Sequence, residues 1–205
     1  MAKHDAVAIQ PAKPILYVRA DRCDGLGYYH AAVSSGRSTR AIAIMERAVH
    51  FVTCTHEAHA GKMLEIFNDA IATSTALFDY KPRASESMVG WFQAKEVGRF
   101  PVIGAIAPDN QLLGFATYGT FRAWPAYKYS VEHSVYVHKD HRGKGIGLAL
   151  MRQLIERAKE QQYHVMVGGI DITNTGSIAL HTRLGFVHAG TVKHAGFKFG
   201  KWLDL

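Results

Sequence analysis

The residues best suited to chemistry lie in one run, Val135-Tyr136-Val137-His138-Lys139-Asp140-His141-Arg142-Gly143-Lys144-Gly145-Ile146-Gly147. A β-branched segment feeds a loop with three glycines, and the loop feeds an apolar pattern of helical period. Successive main-chain N–H groups without side chains can close on a phosphate, and a following helix adds the positive end of its dipole. Arg142 and Lys144 bring full charges to the same place. Such a cradle suits a pyrophosphate-sized anion. The run is not a P-loop, since no G-x-x-x-x-G-K-S/T occurs. Its R-x-x-G-x-G spacing, late in the chain, also differs from the dinucleotide fingerprint near a first strand. From this loop alone, an ordinary glycine turn between strand and helix stays open as a reading.

A second candidate stands upstream. Arg122 lies among Phe121, Ala123 and Trp124 after a predicted strand. Its guanidinium fork matches a carboxylate with two parallel hydrogen bonds. Phe121, Trp124, Phe78 and Tyr118 are candidate walls for an amino-acid pocket; the alternative is a surface arginine among core aromatics. His138 and His141 are three apart, but no third ligand at suitable spacing joins them, so no metal site is expected.

These residues need a frame. Val49–Val52 reads as a strand, and Thr55 before His56-Glu57 as a helix start. Met63, Ile66, Phe67, Ala70 and Ile71 recur at helical spacing, which predicts a helix over about 57–72. Ser85 is placed to cap a helix carrying Met88, Trp91 and Phe92. Pro101–Ala107 and Leu112–Tyr118, separated by Pro108-Asp109-Asn110, predict a hairpin. Val131–Val137 is a strand, 146–160 an amphipathic helix, His164–Ile170 a strand and Asn174–Leu184 a helix stopped by Gly185. Phe186–Val192 and Trp202–Leu205 are late strand candidates. This order implies an α/β (α+β) domain with a mixed, mostly antiparallel central sheet flanked by helices.

The first 44 residues fit this frame poorly. They hold Pro11, Pro14, Gly25, Gly27, Gly36 and a Ser-rich stretch, with only Ile15–Val18 resembling a strand. Residues 1–44 are therefore expected to be an appendage, flexible or a misassigned start, and 45–205 the folded domain. A length of 205 residues agrees with one domain plus an extra segment. Hydrophobic residues at 48% and charged residues at 20% exclude collagen-like and disordered chains. No apolar run reaches about 18 residues, so no membrane span is expected, and no apolar core behind a basic start suggests a secretory signal. The net charge is +7, and six basic against three acidic residues fall in 1–44. The remaining excess is mild and unclustered, so nucleic-acid binding is not expected. Cys23 and Cys54 are read as reduced thiols of a cytoplasmic protein.

The R-x-x-G-x-G of Arg142, Gly145 and Gly147 after a V-x-V strand resembles the acetyl-CoA signature of the GNAT superfamily of N-acetyltransferases. Asn174-Thr175-Gly176-Ser177-Ile178-Ala179-Leu180-His181-Thr182-Arg183-Leu184-Gly185-Phe186 is similar to that family's second signature. Phe121–Trp124, Val131–Val137, His164–Gly168 and Lys198-Phe199-Gly200-Lys201-Trp202-Leu203-Asp204-Leu205 resemble the phosphinothricin / methionine sulfoximine N-acetyltransferase branch. The likeness covers about 48–205. In the family the last strand continues beyond the motif at which this chain stops, so that edge is expected to be incomplete.

The resemblance implies the GNAT fold and an acetyl-CoA-dependent transfer to the α-amino group of small amino-acid analogues. The alternatives are a GNAT enzyme acting on protein N-termini or Lys, and a non-catalytic CoA-responsive module. It implies Glu132 as general base, directly or through water, with His133 turned to the other face of the strand. His181 stands as either a general acid or a pocket wall. Acetyl-CoA is expected on Val135, Tyr136, Val137, Arg142, Gly143, Lys144, Gly145, Ile146, Gly147, Asn174 and Ser177, with a helix cap as the alternative role of Asn174. The amino acid is expected on Arg122, Ala123, Trp124, Glu132 and Phe78. A homodimer is implied by the same analogy.

Overall fold

The computed structural model describes the main chain of residues 17–20 and all of residues 49–205. Strand β1 is Tyr17–Ala20. It is followed by β2 (His50–Thr53), α1 (His56–Thr73), α2 (Ser87–Val97), β3 (Val102–Ile106), β4 (Leu112–Thr120) and β5 (Ser130–Val137). Then come α3 (Ile146–Glu160), β6 (Val165–Gly168), α4 (Thr175–Arg183), β7 (Val187–His188), β8 (Gly196–Lys198) and β9 (Lys201–Leu203). One sheet runs β2-β3-β4-β5-β6-β1-β7, and β8 with β9 forms a separate hairpin. Every pairing in the large sheet is antiparallel except β5 with β6. That exception follows from α3, the crossover helix that joins those two strands. Among the described residues no helix is long and apolar enough to cross a membrane.

The sheet separates two cores. Helix α1 buries Met63, Ile66, Phe67, Ala70 and Ile71, and α1 and α2 cover one face, where Phe67 and Met88 pack with Val102, Leu112 and Phe115. The Thr55 hydroxyl caps α1 by accepting from the Ala58 N–H at 3.3 Å. Helix α3 covers the other face: Leu150, Met151 and Leu154 are fully buried against Ala116, Tyr118 and Val131. Burial of this kind contributes roughly 1.5–3 kcal/mol per large side chain.

The structure departs from expectation in four places. Ser85 does not cap α2; its hydroxyl bonds the Glu86 carboxylate instead, and the helix starts at Ser87. The strand foreseen over Phe186–Val192 shrinks to Val187–His188. Of hairpin β8–β9 only the second strand was foreseen, over Trp202–Leu205, because its two-residue turn puts Phe199 and Gly200 at φ of 53° and 74°. A phenylalanine there is an uncommon turn residue and gives no turn signal. Finally, the strand foreseen over Ile15–Val18 is shifted to β1 at Tyr17–Ala20, which lies inside the sheet with Tyr17 opposite both Gly168 of β6 and His188 of β7. The rest of residues 1–44 falls outside the described residues.

Candidate active site

Strand β5 pairs with β4 from Val131 to Val137. With β6 it pairs only over Ser130, Val131 and Glu132, opposite Val165, Met166 and Val167. Beyond Glu132 the two parallel strands part. The His138 N–H donates to the Leu113 carbonyl at 2.8 Å, across to β4. Main-chain groups alternate in direction along a strand, so the N–H groups of Ser134 and Tyr136 also face β4. That of His133 faces the last rung with β6, and those of Val135 and Val137, beyond it, face the split. The split is thus lined by main-chain donors of the kind that could bind an extended amide chain or a developing oxyanion.

The split opens toward the glycine loop. Gly143 and Gly145 have φ of 74° and 84°, the left-handed region that favours glycine. A Cβ on Gly143 would meet nothing within 4 Å; conformation, not crowding, requires glycine there, and the space beside the loop is open. Helix α3 starts at Ile146, so its unsatisfied first N–H groups face the loop. Arg142 is held at the rim by Asp69 of α1 at 2.8 Å and by the Val137 carbonyl at 3.1 Å. The Lys144 ammonium donates to the Asp140 carbonyl at 2.9 Å. These residues fit a pyrophosphate with two adjacent cations.

Side chains alternate between faces along β5. Glu132 projects to the α1–α2 side, with Ser134 and Tyr136 following it. Its Oε1 lies 3.3 Å from where a Cβ on Gly169 would stand, and Leu205 flanks the same spot. Burial holds the Glu132 carboxyl above the usual carboxylate range, and the Arg122 guanidinium partly offsets this. A carboxylate so placed is a better base than an ordinary surface glutamate. Arg122, Ala123 and Trp124 are exposed on the loop after β4, with Trp124 at 66%. Phe78 sits on the α1–α2 connection against Gly196.

His133 and His181 fill the opposite side of the sheet. Their rings stack at 4.8 Å between centroids, and both meet Phe186 edge-on. His181 Nδ1 lies 2.7 Å from the Ser177 carbonyl, an acceptor only, so that nitrogen carries the proton. The neutral ring then accepts at Nε2, and the His133 Nε2 at 3.0 Å donates to it. His133 Nδ1 is left buried with no partner among the described residues. Burial lowers the pKa of both histidines; the neighbouring His181 lowers His133 further, while the Ser177 carbonyl opposes the effect at His181.

Among the sequence-predicted residues, Arg122 acts electrostatically on Glu132 and Arg142 bonds the Val137 carbonyl at the end of the same strand, while three others stand differently. Tyr136 turns its main chain to β4 and its ring into a cluster with Phe67 and Phe115, so its N–H does not face the split. Tyr118 is fully buried on the α3 side, its hydroxyl bonding Gln161 at 2.6 Å, and walls no acceptor pocket. Asn174 caps α4, its side-chain oxygen accepting from the Ser177 N–H at 3.1 Å. Gly169 and Leu205, both against Glu132, carried no signal in the sequence.

Residues 63–186 match the acetyltransferase (GNAT) family. The chain belongs to the GNAT family. A GNAT relative from Pseudomonas paraeruginosa, named L-methionine sulfoximine/L-methionine sulfone acetyltransferase, is 43% identical over 143 residues, 70% of this chain and 83% of the relative. A solved chain from Acinetobacter baylyi ADP1 is 61% identical, with a TM-score of 0.75 over 76% of this chain and 87% of that one. A GNAT superfamily phosphinothricin acetyltransferase from Sinorhizobium meliloti, solved in complex with acetyl-CoA, is 30% identical, with a TM-score of 0.73 over 77% of this chain and 84% of that one. The GNAT fold expected from the two signatures is the fold observed.

Proposed function

We propose that this GNAT protein transfers the acetyl group of acetyl-CoA to the α-amino group of small amino-acid analogues of the methionine sulfoximine and phosphinothricin type. The observation that carries the reading is the position of Glu132 at the point where β5 and β6 part, next to the split that leads to the glycine loop. The names of the relatives supply the substrate class. Bound acetyl-CoA supplies a thioester carbonyl carbon. The loop N–H groups, Arg142 and Lys144 hold its pyrophosphate, and the N–H group of Val137 holds the arm behind the thioester. The Val135 N–H is the donor for the oxyanion, because it is the first beyond His133 to face the split. Arg122 clamps the carboxylate of the amino acid, with Phe78, Ala123 and Trp124 around it. An α-amino group has a pKa near about 8, so part of it arrives neutral. Glu132 takes the remaining proton, directly or through one water, as nitrogen bonds to carbon and the C–S bond breaks.

His181 is read as a wall of the split rather than as an acid, since its two ring nitrogens engage Ser177 and His133. Ser177 remains a cofactor contact in this proposal. The homodimer and the cytoplasmic location belong to it as well. Exposed Phe197, Phe199 and Trp202 support the first, and the free buried thiol of Cys54 the second. The test is release of free CoA thiol with a panel of acceptors. Saturable turnover of methionine sulfoximine or phosphinothricin, and none of peptides, is expected; turnover of peptides alone refutes the reading.

A further inference from the structure

The Lys198-Phe199-Gly200-Lys201 motif has no part in the chemistry above. Yet Lys198 is only 3% exposed. Its ammonium donates to three main-chain carbonyls: Ile71 at 2.7 Å, Ser74 at 2.9 Å and Leu77 at 2.6 Å. An ammonium has three protons, and each of these finds an acceptor. Ile71 and Ser74 lie at the end of α1, where the last carbonyls lack helical donors and the dipole is negative. Leu77 belongs to the segment that follows. Burial lowers the Lys198 pKa, and the nearby Asp79 partly opposes this by favouring the charge. Lys198 thus supplies, from the far end of the chain, the cation that α1 lacks in its own last turn.

The same segment is held by the hairpin at two further points. The Tyr80 hydroxyl donates to the Phe197 carbonyl at 2.5 Å. The Phe78 ring lies over Gly196, where a Cβ would come within 2.8 Å of it. The segment in turn faces the reactive side of β5. Asp79 pairs with Arg83 at 3.2 Å, and Arg83 stacks on Phe67, which packs against Tyr136. Asp79, Arg83 and Glu132 all act electrostatically on the Tyr136 hydroxyl. At the other end of the hairpin the chain returns to Leu205, beside Gly169 and the Glu132 carboxylate.

We propose that Lys198 is a positioning residue for the acceptor: it clamps residues 74–80 to hairpin β8–β9, so that Phe78 stands as a fixed wall facing Glu132. The proposal rests on the reading that an amino acid is acetylated on this face. The geometry explains why lysine is needed. Three carbonyls converge on one point, which a tetrahedral ammonium satisfies and a planar guanidinium does not. An apolar residue would leave one buried and two half-buried acceptors without this donor.

The test compares Lys198→Met and Lys198→Arg with the wild type, each checked for folding by circular dichroism. Methionine sulfoximine is varied at saturating acetyl-CoA, and then the reverse. The expected result is a rise of about tenfold or more in KM for the amino acid in both variants, with KM for acetyl-CoA within about twofold. Equal rises for both substrates, or full rescue by arginine, overturn the proposal. Hydrogen exchange on the wild type decides the matter where a variant does not fold. Amides of 75–80 are expected to exchange together with those of 196–203; exchange far faster than the hairpin overturns the clamp. Absence of wild-type turnover with any amino acid refutes the function instead, and the exchange result still stands on its own.

Discussion

Replacing Glu132 by Gln separates chemistry from architecture. Gln keeps the shape and removes the basicity. A general base contributes about 10²–10⁴ to the rate, or about 2.7–5.4 kcal/mol of barrier. Three features put the loss on kcat. Glu132 is the last residue of β5 paired with β6. The donor at Val135 lies three residues on, about 10 Å along an extended strand, a span that an amino acid between Arg122 and the thioester can bridge. Burial also keeps the carboxyl above its usual range, so it holds a proton more readily than a surface glutamate. The expected result is a loss of about 10²–10⁴ in kcat with KM changed by less than about tenfold. The loss shrinks as pH rises past about 8, because the amine then arrives deprotonated. The assay is thiol release from about pH 6 to about pH 9.

Stability supplies the control. A carboxyl whose folded pKa is raised binds more protons in the folded state than in the unfolded one, so its contribution falls as pH rises from the unfolded value, about 4.3, through the folded one. At neutral pH the ionised Glu132 is therefore mildly destabilising. Glu132→Gln should be at least as stable as wild type in urea at about pH 7. Near-normal kcat across the pH range refutes Glu132 as base, and a fall in both stability and kcat makes it a structural residue.

Three further outcomes are expected. Arg122→Ala should raise KM for the amino acid by about tenfold, the lower end for a charge-assisted pair because Arg122 is exposed; an unchanged KM returns it to the surface. His133 and His181 both have lowered pKa values, so the unfolded state binds more protons below about pH 6.5 and stability falls as pH drops through that window. His133→Phe should flatten that fall in urea midpoint, and an unchanged slope shows that the pair does not titrate as buried. A chain starting at Met45 lacks β1, the shared partner of β6 and β7, and should melt earlier than the full chain; an unchanged midpoint refutes a stabilising role for β1.

The helices and long strands were legible because their period is local. Met63, Ile66, Phe67, Ala70 and Ile71 mark α1 in the sequence and are its buried stripe in the fold. The glycine loop was legible because only a few residue types adopt its backbone. Glu132 and Arg122 were named through the family resemblance and the chemistry of their side chains. What escaped depends on distant partners. Lys198 looks like any turn lysine until Ile71, Ser74 and Leu77 surround it. Strand β1 was legible only in part, through Ile15–Val18, because its place is set by the strands on either side of it. Tyr136 differs in kind: the residues flanking it face the split, and only the pairing register shows that its own N–H turns to β4.

That register is what lets one strand hold the proposed base, the proposed oxyanion donor and a buried histidine in four residues, 132–135. A slip of one residue would turn Glu132 into the α3 core and His133 toward the acceptor, and would exchange the donors facing the split for those facing β4. Two features oppose such a slip. Gly114 lies opposite Val137, and a Cβ there would come within 2.6 Å of the Tyr136 carbonyl, so the close contact accepts glycine and nothing larger. A register shift at Ala105/Ile106 leaves Leu113 without a partner on β3, and this bulge turns Leu113 into the same core as Ala116 and Tyr118. Strand β4 is thereby held from one side by the bulge and from the other by the glycine. The position of Glu132 at the split is then fixed by residues that never touch the substrate.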